Sequence, residues 1–159
     1  MQKIPDFDCV LPAPFGALGV QVAGEHLTGL EFLPPGTPTR NPTTSFQRRV
    51  AAELEAYYAN PEHRFSLPLQ FSGTPFRQQV WAILQTIPAG QTRSYGQVAR
   101  QLGSAPRAVG QAVGDNPIPI IIPCHRVVAA DGSLGGFNHS RVGFTQAIKR
   151  WLLAHEGAL

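Results

Sequence analysis

Residues 116–128 read Asn-Pro-Ile-Pro-Ile-Ile-Ile-Pro-Cys-His-Arg-Val-Val, and no other stretch restricts the chain so tightly. Pro117, Pro119 and Pro123 each lack a backbone donor and fix φ, so a regular central strand or helix interior is not expected here. The run is nevertheless apolar enough to be buried, and it ends on a thiol, an imidazole and a guanidinium in succession. A thiol needs help to become a thiolate, and a neighbouring imidazole is the usual helper. Two readings of Cys124 stand at this point: an activated nucleophile, or a small buried hydrophobe, as free cysteines commonly are. Adjacent residues on a strand point to opposite faces, so Cys124 and His125 being consecutive does not by itself bring them together.

The 159 residues are 43% hydrophobic, enough for a core, and leave room for one domain or for a small lobe beside a larger one. No apolar run approaches the length of a membrane span, and Met1 to Asp8 is short and polar without a signal-peptide pattern, so a cytoplasmic protein is expected, with no membrane partner. In such a reducing setting Cys9 and Cys124 are not expected to pair. Cys9 and His26 show no ligand spacing, so neither a metal nor a cofactor is expected.

The net charge of +3 is unevenly spread. Residues 1–75 carry five basic side chains against seven acids, whereas residues 76–159 carry eight against three, Asp115, Asp131 and Glu156. Between Arg77 and Arg126 the only acid is Asp115. A basic half beside a slightly acidic one suits a polyanion partner on one face, although an ordinary solvated surface also accommodates it.

In order along the chain, Ala17–Val22 and Leu27–Phe32 read as strands around a turn at Ala23-Gly24-Glu25-His26. A Pro-Pro-Gly loop follows, and then Phe46, Val50, Leu54 and Tyr57 or Tyr58 recur at helical spacing from Thr44 or Ser45 until Asn60-Pro61. Phe65–Phe71 alternates but contains Pro68, which predicts an edge strand. Thr74-Pro75 opens a further helix, with Trp81 as a core residue. Ser94-Tyr95-Gly96-Gln97 offers a capping box, and a turn at Gly103–Pro106 leads to a second short helix over about 107–113. Two short helices about a glycine-containing turn in a basic stretch read as a helix-turn-helix. The second carries Ala108, Val109, Gly110, Ala112 and Val113, side chains too small to read bases but suited to close approach and phosphate contact. A last amphipathic helix is marked by Phe144, Ile148, Trp151, Leu152 and His155. The fold class expected is α/β (α+β): a small N-terminal α/β lobe over 1–73 and a mainly helical C-terminal lobe with a helix-turn-helix over 74–159.

Pro123-Cys124-His125-Arg126-Val127 after Asn116-Pro117, with Tyr95, Arg107-Ala108-Val109-Gly110 and Ala112 upstream and Trp151-Leu152-Leu153-Ala154-His155-Glu156-Gly157 downstream, resembles the O6-alkylguanine-DNA alkyltransferases. The similarity spans about half the chain, from Thr74 to Leu159. It implies a DNA repair methyltransferase that moves an alkyl group from O6-alkylguanine, and from O4-alkylthymine, in double-stranded DNA to its own cysteine, once, as a monomer. Cys124 would be the nucleophile, His125 its base through a water, and Glu156 the residue orienting His125. Asn116 would pin the turn before the active-site run. Tyr95 would crowd the phosphate and protonate the departing base. Arg107 would fill the space of the flipped nucleotide, with Ser94, Ala108, Gly110 and Arg126 also at the DNA. The carbonyls of Cys124 and Val127, with Pro119, Phe137 and Asn138, would form the alkylguanine pocket.

The resemblance is incomplete at 137–143. Phe137 stands where tyrosine is common, and the loop to Trp151 is longer than the usual pattern, so alkyl-size preference is left open. Asp115 is also unusual beside a DNA-facing helix and is expected to weaken phosphate contact slightly. Three rivals remain: a non-catalytic binder of alkylated DNA, which would lack the reactive cysteine; a transcriptional regulator, which would need base-reading side chains on the second helix; and a cysteine hydrolase, which would need an oxyanion site.

Overall fold

The computed structural model describes residues 6–136 and 143–159 of the chain. The chain divides into two compact units, Met1–Phe71 and Ser72–Leu159. It is a mixed α/β protein, as its sequence patterns predict.

In the first unit, β1 (Cys9–Ala13), β2 (Gly16–Ala23) and β3 (His26–Leu33) form an antiparallel sheet in sequential order. Gly24, with φ of +58°, supplies the left-handed conformation that the β2–β3 turn requires. Helix α1 (Ser45–Ala59) begins where Thr44 accepts a hydrogen bond from the Gln47 amide, and it buries Phe46, Val50, Leu54 and Tyr57. Edge-on contacts from Phe15 to Phe32 and to Tyr58 tie the helix to the sheet. The strand expected over Phe65–Phe71 is reduced to a single bridge between Leu27 and Leu69. Pro68 has no N–H to extend a ladder, and its carbonyl and the Gln70 amide bond the two sides of Leu27 alone.

In the second unit, α2 (Pro75–Leu84) starts at Thr74, whose hydroxyl accepts from the Arg77 amide. Trp81 is buried, and its indole N–H donates to the Ala112 carbonyl at 2.8 Å, fastening α2 to α4. Helix α3 (Tyr95–Leu102) carries the complete Ser94/Gln97 capping box and ends at Gly103, with φ of +63°. Helix α4 (Pro106–Gly114) follows, and the pair forms the expected helix-turn-helix. Helix α5 (Phe144–His155) closes the unit. Its buried face differs from expectation: Ile148, Lys149, Leu152 and Leu153 point inward, while Phe144 is exposed.

The Asn116–Val128 run follows no regular element until its end. Ile120 sits at φ of +73°, an uncommon conformation for a β-branched residue. Cys124–Arg126 then forms one 3₁₀ turn, not the strand over which neighbours would face opposite ways. It leads into β5 (Val127–Val128), which pairs in parallel with β4 (Arg93–Ser94). This register, Arg93 with Val127 and Ser94 with Val128, sets the start of α3 beside the end of the cysteine turn.

Candidate active site

Cys124 is 1% exposed and His125 is fully buried. The segment before them is held by Asn116, whose side-chain N–H donates to the Ile122 carbonyl at 2.7 Å while its oxygen accepts from the Ile118 amide at 3.0 Å. This clasp spans the left-handed Ile120. The role expected of Asn116 therefore has a definite geometry.

Glu156, just beyond α5, reaches the cysteine turn. Its Oε2 lies 2.8 Å from His125 Nε2, and Arg126 donates to both carboxylate oxygens at 2.9 Å. Burial would raise the Glu156 pKa, but the hydrogen bonds from His125 and Arg126 overcome this and hold it at about 2. The carboxylate is thus ionised and can only accept, so His125 carries its proton on Nε2. Nδ1 of His125 is left with a lone pair, buried and without a hydrogen-bond partner among the described residues. Burial keeps the ring's pKa below its usual value despite Glu156, so the imidazole is neutral and basic at Nδ1.

Burial pushes the Cys124 thiol up to about 11, against the opposing pull of Asn116 and Lys149. A thiol buried in this way is harder to ionise than one in water, so its use as a nucleophile would need a base.

Arg126 is not placed as a DNA contact. Besides its two bonds to Glu156, it donates to the Ile87 carbonyl at 2.6 Å, and its side chain is 13% exposed. Its guanidinium is committed inward, where it neutralises a buried carboxylate. Asp115 likewise differs from expectation: it pairs with Arg77 at 2.7 Å, so its charge is compensated within the unit.

Tyr95 is half-buried at the start of α3, and its hydroxyl donates to the Gly136 carbonyl at 3.4 Å. Ser94 is engaged as the α3 cap. Arg107 projects from the first turn of α4, exposed, with no ion pair or side-chain hydrogen bond among the described residues. Ala108 and Gly110 are half-buried, whereas Val109, Ala112 and Val113 turn inward. Val127 and Pro119 are buried, and the Cys124 carbonyl accepts from the Val127 amide. Phe137 and Asn138 lie outside the described residues.

Lys149 escapes a reading based on amphipathic spacing. It is fully buried, and its ammonium donates to the carbonyls of Val127 at 2.8 Å, Leu134 at 2.5 Å and Gly136 at 3.0 Å. The same ammonium lies 6.0 Å from the centre of the Tyr95 ring. A signal was available: Ile148, Leu152 and Leu153 lie on one helical stripe, and Lys149 falls within it.

Gly135 has φ of +70°, and a Cβ placed there would lie 3.0–3.1 Å from the Tyr95 ring and hydroxyl. Gly135→Ala is expected to displace Tyr95 and to cost about 1–2 kcal/mol from the left-handed backbone. Near-ultraviolet circular dichroism should report the moved ring, with only a modest drop in melting temperature; an unchanged spectrum would show that Tyr95 tolerates the added methyl group.

Among the described residues, no group of three or more His, Cys, Asp or Glu side chains is arranged to hold a metal ion. No described helix is long and apolar enough to cross a membrane.

Comparison with known proteins gives a consistent result. The family described as "6-O-methylguanine DNA methyltransferase, DNA binding domain" matches residues 75–158. A methylated-DNA–protein-cysteine methyltransferase of Mycobacterium bovis is 42% identical over 141 residues, covering 82% of this chain and 86% of the relative. The Mus musculus protein of the same name is 37% identical, covering 93% and 80%. A crystal structure of Mycobacterium tuberculosis OGT in complex with DNA superposes with a TM-score of 0.79 at 41% identity, covering 94% of this chain and 91% of that one.

Proposed function

The chain belongs to the O6-methylguanine DNA methyltransferase family, and from that premise we propose that it repairs DNA by transferring the alkyl group of O6-alkylguanine to Cys124, once per molecule. The observation that carries this reading is the buried His125–Glu156 pair on the same 3₁₀ turn as the buried Cys124.

The chemistry is a displacement at an alkyl carbon. The S–H proton passes to Nδ1 of His125 through a bridging water, the sulfur lone pair forms the S–C bond, and the C–O6 pair leaves with the guanine. A proton from the Tyr95 hydroxyl then compensates the charge on the departing purine. No oxyanion hole is required; alignment and a protonated leaving group are. The thioether product is stable to the groups around it, so the protein is consumed.

The target carbon is inaccessible within a stacked duplex, so the nucleotide must be extruded. Helix α4 suits a close approach to a groove with little base reading, and exposed Arg107 at its start is the residue to occupy the vacated position. Arg107→Ala should leave the melting temperature unchanged and slow transfer from duplex DNA more than from the free O6-methylguanine base. Its salt slope for duplex binding should also fall by about 1. Equal slowing on both substrates would remove Arg107 from the DNA face.

The direct test is mass spectrometry of the intact protein and its peptides after mixing with excess duplex containing O6-methylguanine. One methyl on the Cys124 peptide, saturating at one per protein, is expected. Unmodified protein that still binds the damaged duplex would identify a lesion binder instead, the reading that the buried Cys124–His125–Glu156 arrangement disfavours.

A further inference from the structure

We infer that Arg77 and Trp81, one turn apart on α2, are positioning residues that hold the C-terminal end of α4 and so set how duplex DNA is presented to Cys124. The inference rests on the alkyl-transfer reading above and concerns how that site is aligned with a duplex.

The first hold is a helix cap supplied from another element. The last carbonyls of a helix have no intrahelical amide to accept from. In α4 the Asn116 amide bonds the Val113 carbonyl at 3.3 Å rather than closing an α-helical turn onto Ala112. The Ala112 carbonyl accepts instead from the buried Trp81 indole at 2.8 Å. Gly73 leaves the ring its place, since a Cβ there would come within 2.7 Å of it.

The second hold lies three residues further on. Arg77 meets Asp115, the C-cap residue of α4, at 2.7 Å. A carboxylate is unfavourable at the negative end of a helix, and the guanidinium offsets both the side chain and the last carbonyls. The two side chains are 42% and 29% exposed, so their pairing carries little weight in overall stability. Its effect is on orientation. At the other end of α4, Ala105 offers no side-chain cap, which leaves the grip from α2 as the cross-element side-chain restraint on the helix ends.

The place of these holds in the chain links them to the reaction. Asp115 is followed directly by Asn116, whose clasp shapes the run leading to Cys124. Exposed Arg107 stands at the opposite end of the same helix. A tilt of α4 about its C-terminal end would therefore move Arg107 relative to the thiol. A free base needs only the pocket, whereas a nucleotide in a duplex needs the helix and the pocket in register.

The test follows single-turnover methyl transfer at increasing concentrations of an O6-methylguanine duplex, and separately with the free O6-methylguanine base. The proteins are the wild type, Arg77→Met, Asp115→Ala, the double variant and Arg77→Lys. Each of the first two substitutions should lower the maximal duplex rate about three- to five-fold, the range open to a half-exposed ion pair, with melting temperatures close to wild type. The double variant should be no slower than either single one, because both remove the same interaction. Arg77→Lys keeps the charge and should recover most of the rate. Transfer from the free base should be unchanged throughout.

An effect confined to the half-saturating duplex concentration would make Arg77 a phosphate contact and overturn the inference. Losses that multiply in the double variant, equal slowing on both substrates, or no slowing at all would also overturn it. If Arg77→Met does not fold, Asp115→Ala and Arg77→Lys supply the same comparison. Wild-type protein left unmethylated by both substrates defeats the transfer reading itself, and the inference falls with it; a methylated wild type with unaffected variants defeats this inference alone.

Discussion

A protein carrying Glu156→Gln is expected to melt about 10 °C below the wild type and to transfer methyl groups at least about a hundred-fold more slowly. The substitution preserves shape and removes charge. Arg126 would be left largely buried without its carboxylate, a loss of about 3 kcal/mol for a broken buried pair, and Nε2 of His125 would lose the charged acceptor that fixes its tautomer. Stability should also change with acidity. Glu156 has a folded pKa depressed from 4.5 to about 2, so its stabilisation is present above the unfolded value and is lost as pH falls through that interval. His125 is held neutral by burial, and the unfolded chain takes up its proton first, so decline begins below about 6.5. Melting temperatures of the wild type should therefore fall in two stages on acidification, and Glu156→Gln should lack the lower one. A variant retaining both the rate and the lower stage would remove Glu156 from the site.

Asn116→Ala is the second large effect, and it separates the clasp from the catalytic groups. The Ile122 carbonyl keeps a partner, because the Cys124 amide also donates to it at 2.8 Å. The Ile118 amide does not have that reserve: its bond to Asn116 Oδ1 is lost in a buried segment. An orphaned buried donor, together with weakened support for the left-handed Ile120, costs about 2–3 kcal/mol. The thiol should also become harder to ionise, since the Asn116 hydrogen bond favours the thiolate. Denaturant unfolding and the pH dependence of transfer check the two parts separately. Asn116→Asp provides a control that retains the acceptor for Ile118. A wild-type unfolding free energy in Asn116→Ala would show that the segment holds its shape without the clasp.

The features legible in the sequence were those with local causes. Thr44, Thr74 and Ser94 each cap the helix that their spacing predicts, because a hydroxyl three residues before a free amide is a short-range interaction. The prolines exclude regular structure over most of the 116–128 run, and the ordered motifs point to Cys124, His125 and Glu156, of which the last two are bonded in the structure. What escaped depends on tertiary packing. Cys124–Arg126 coils into a 3₁₀ turn whose direction the sequence does not announce. The family resemblance implies a DNA contact for Arg126, yet the partner it finds comes from thirty residues away. Lys149 escapes because a charged residue in an amphipathic helix normally belongs to the wet face. The edge strand over Phe65–Phe71 failed for the opposite reason: alternation was present, but Pro68 left only one point of pairing.

The pairing of β4 with β5 is only two residues long on each side, and it joins the start of the helix-turn-helix to the end of the cysteine turn. In the proposed reaction, the part that opens the duplex and the part that reacts therefore share one backbone frame, with no tether between them. A nucleotide admitted by the first is already within the effective concentration of the second, and little orientational search remains. For a molecule spent in a single event, the productive fraction of encounters sets how many lesions a given supply of protein removes. That short ladder is where such economy of encounters would be decided.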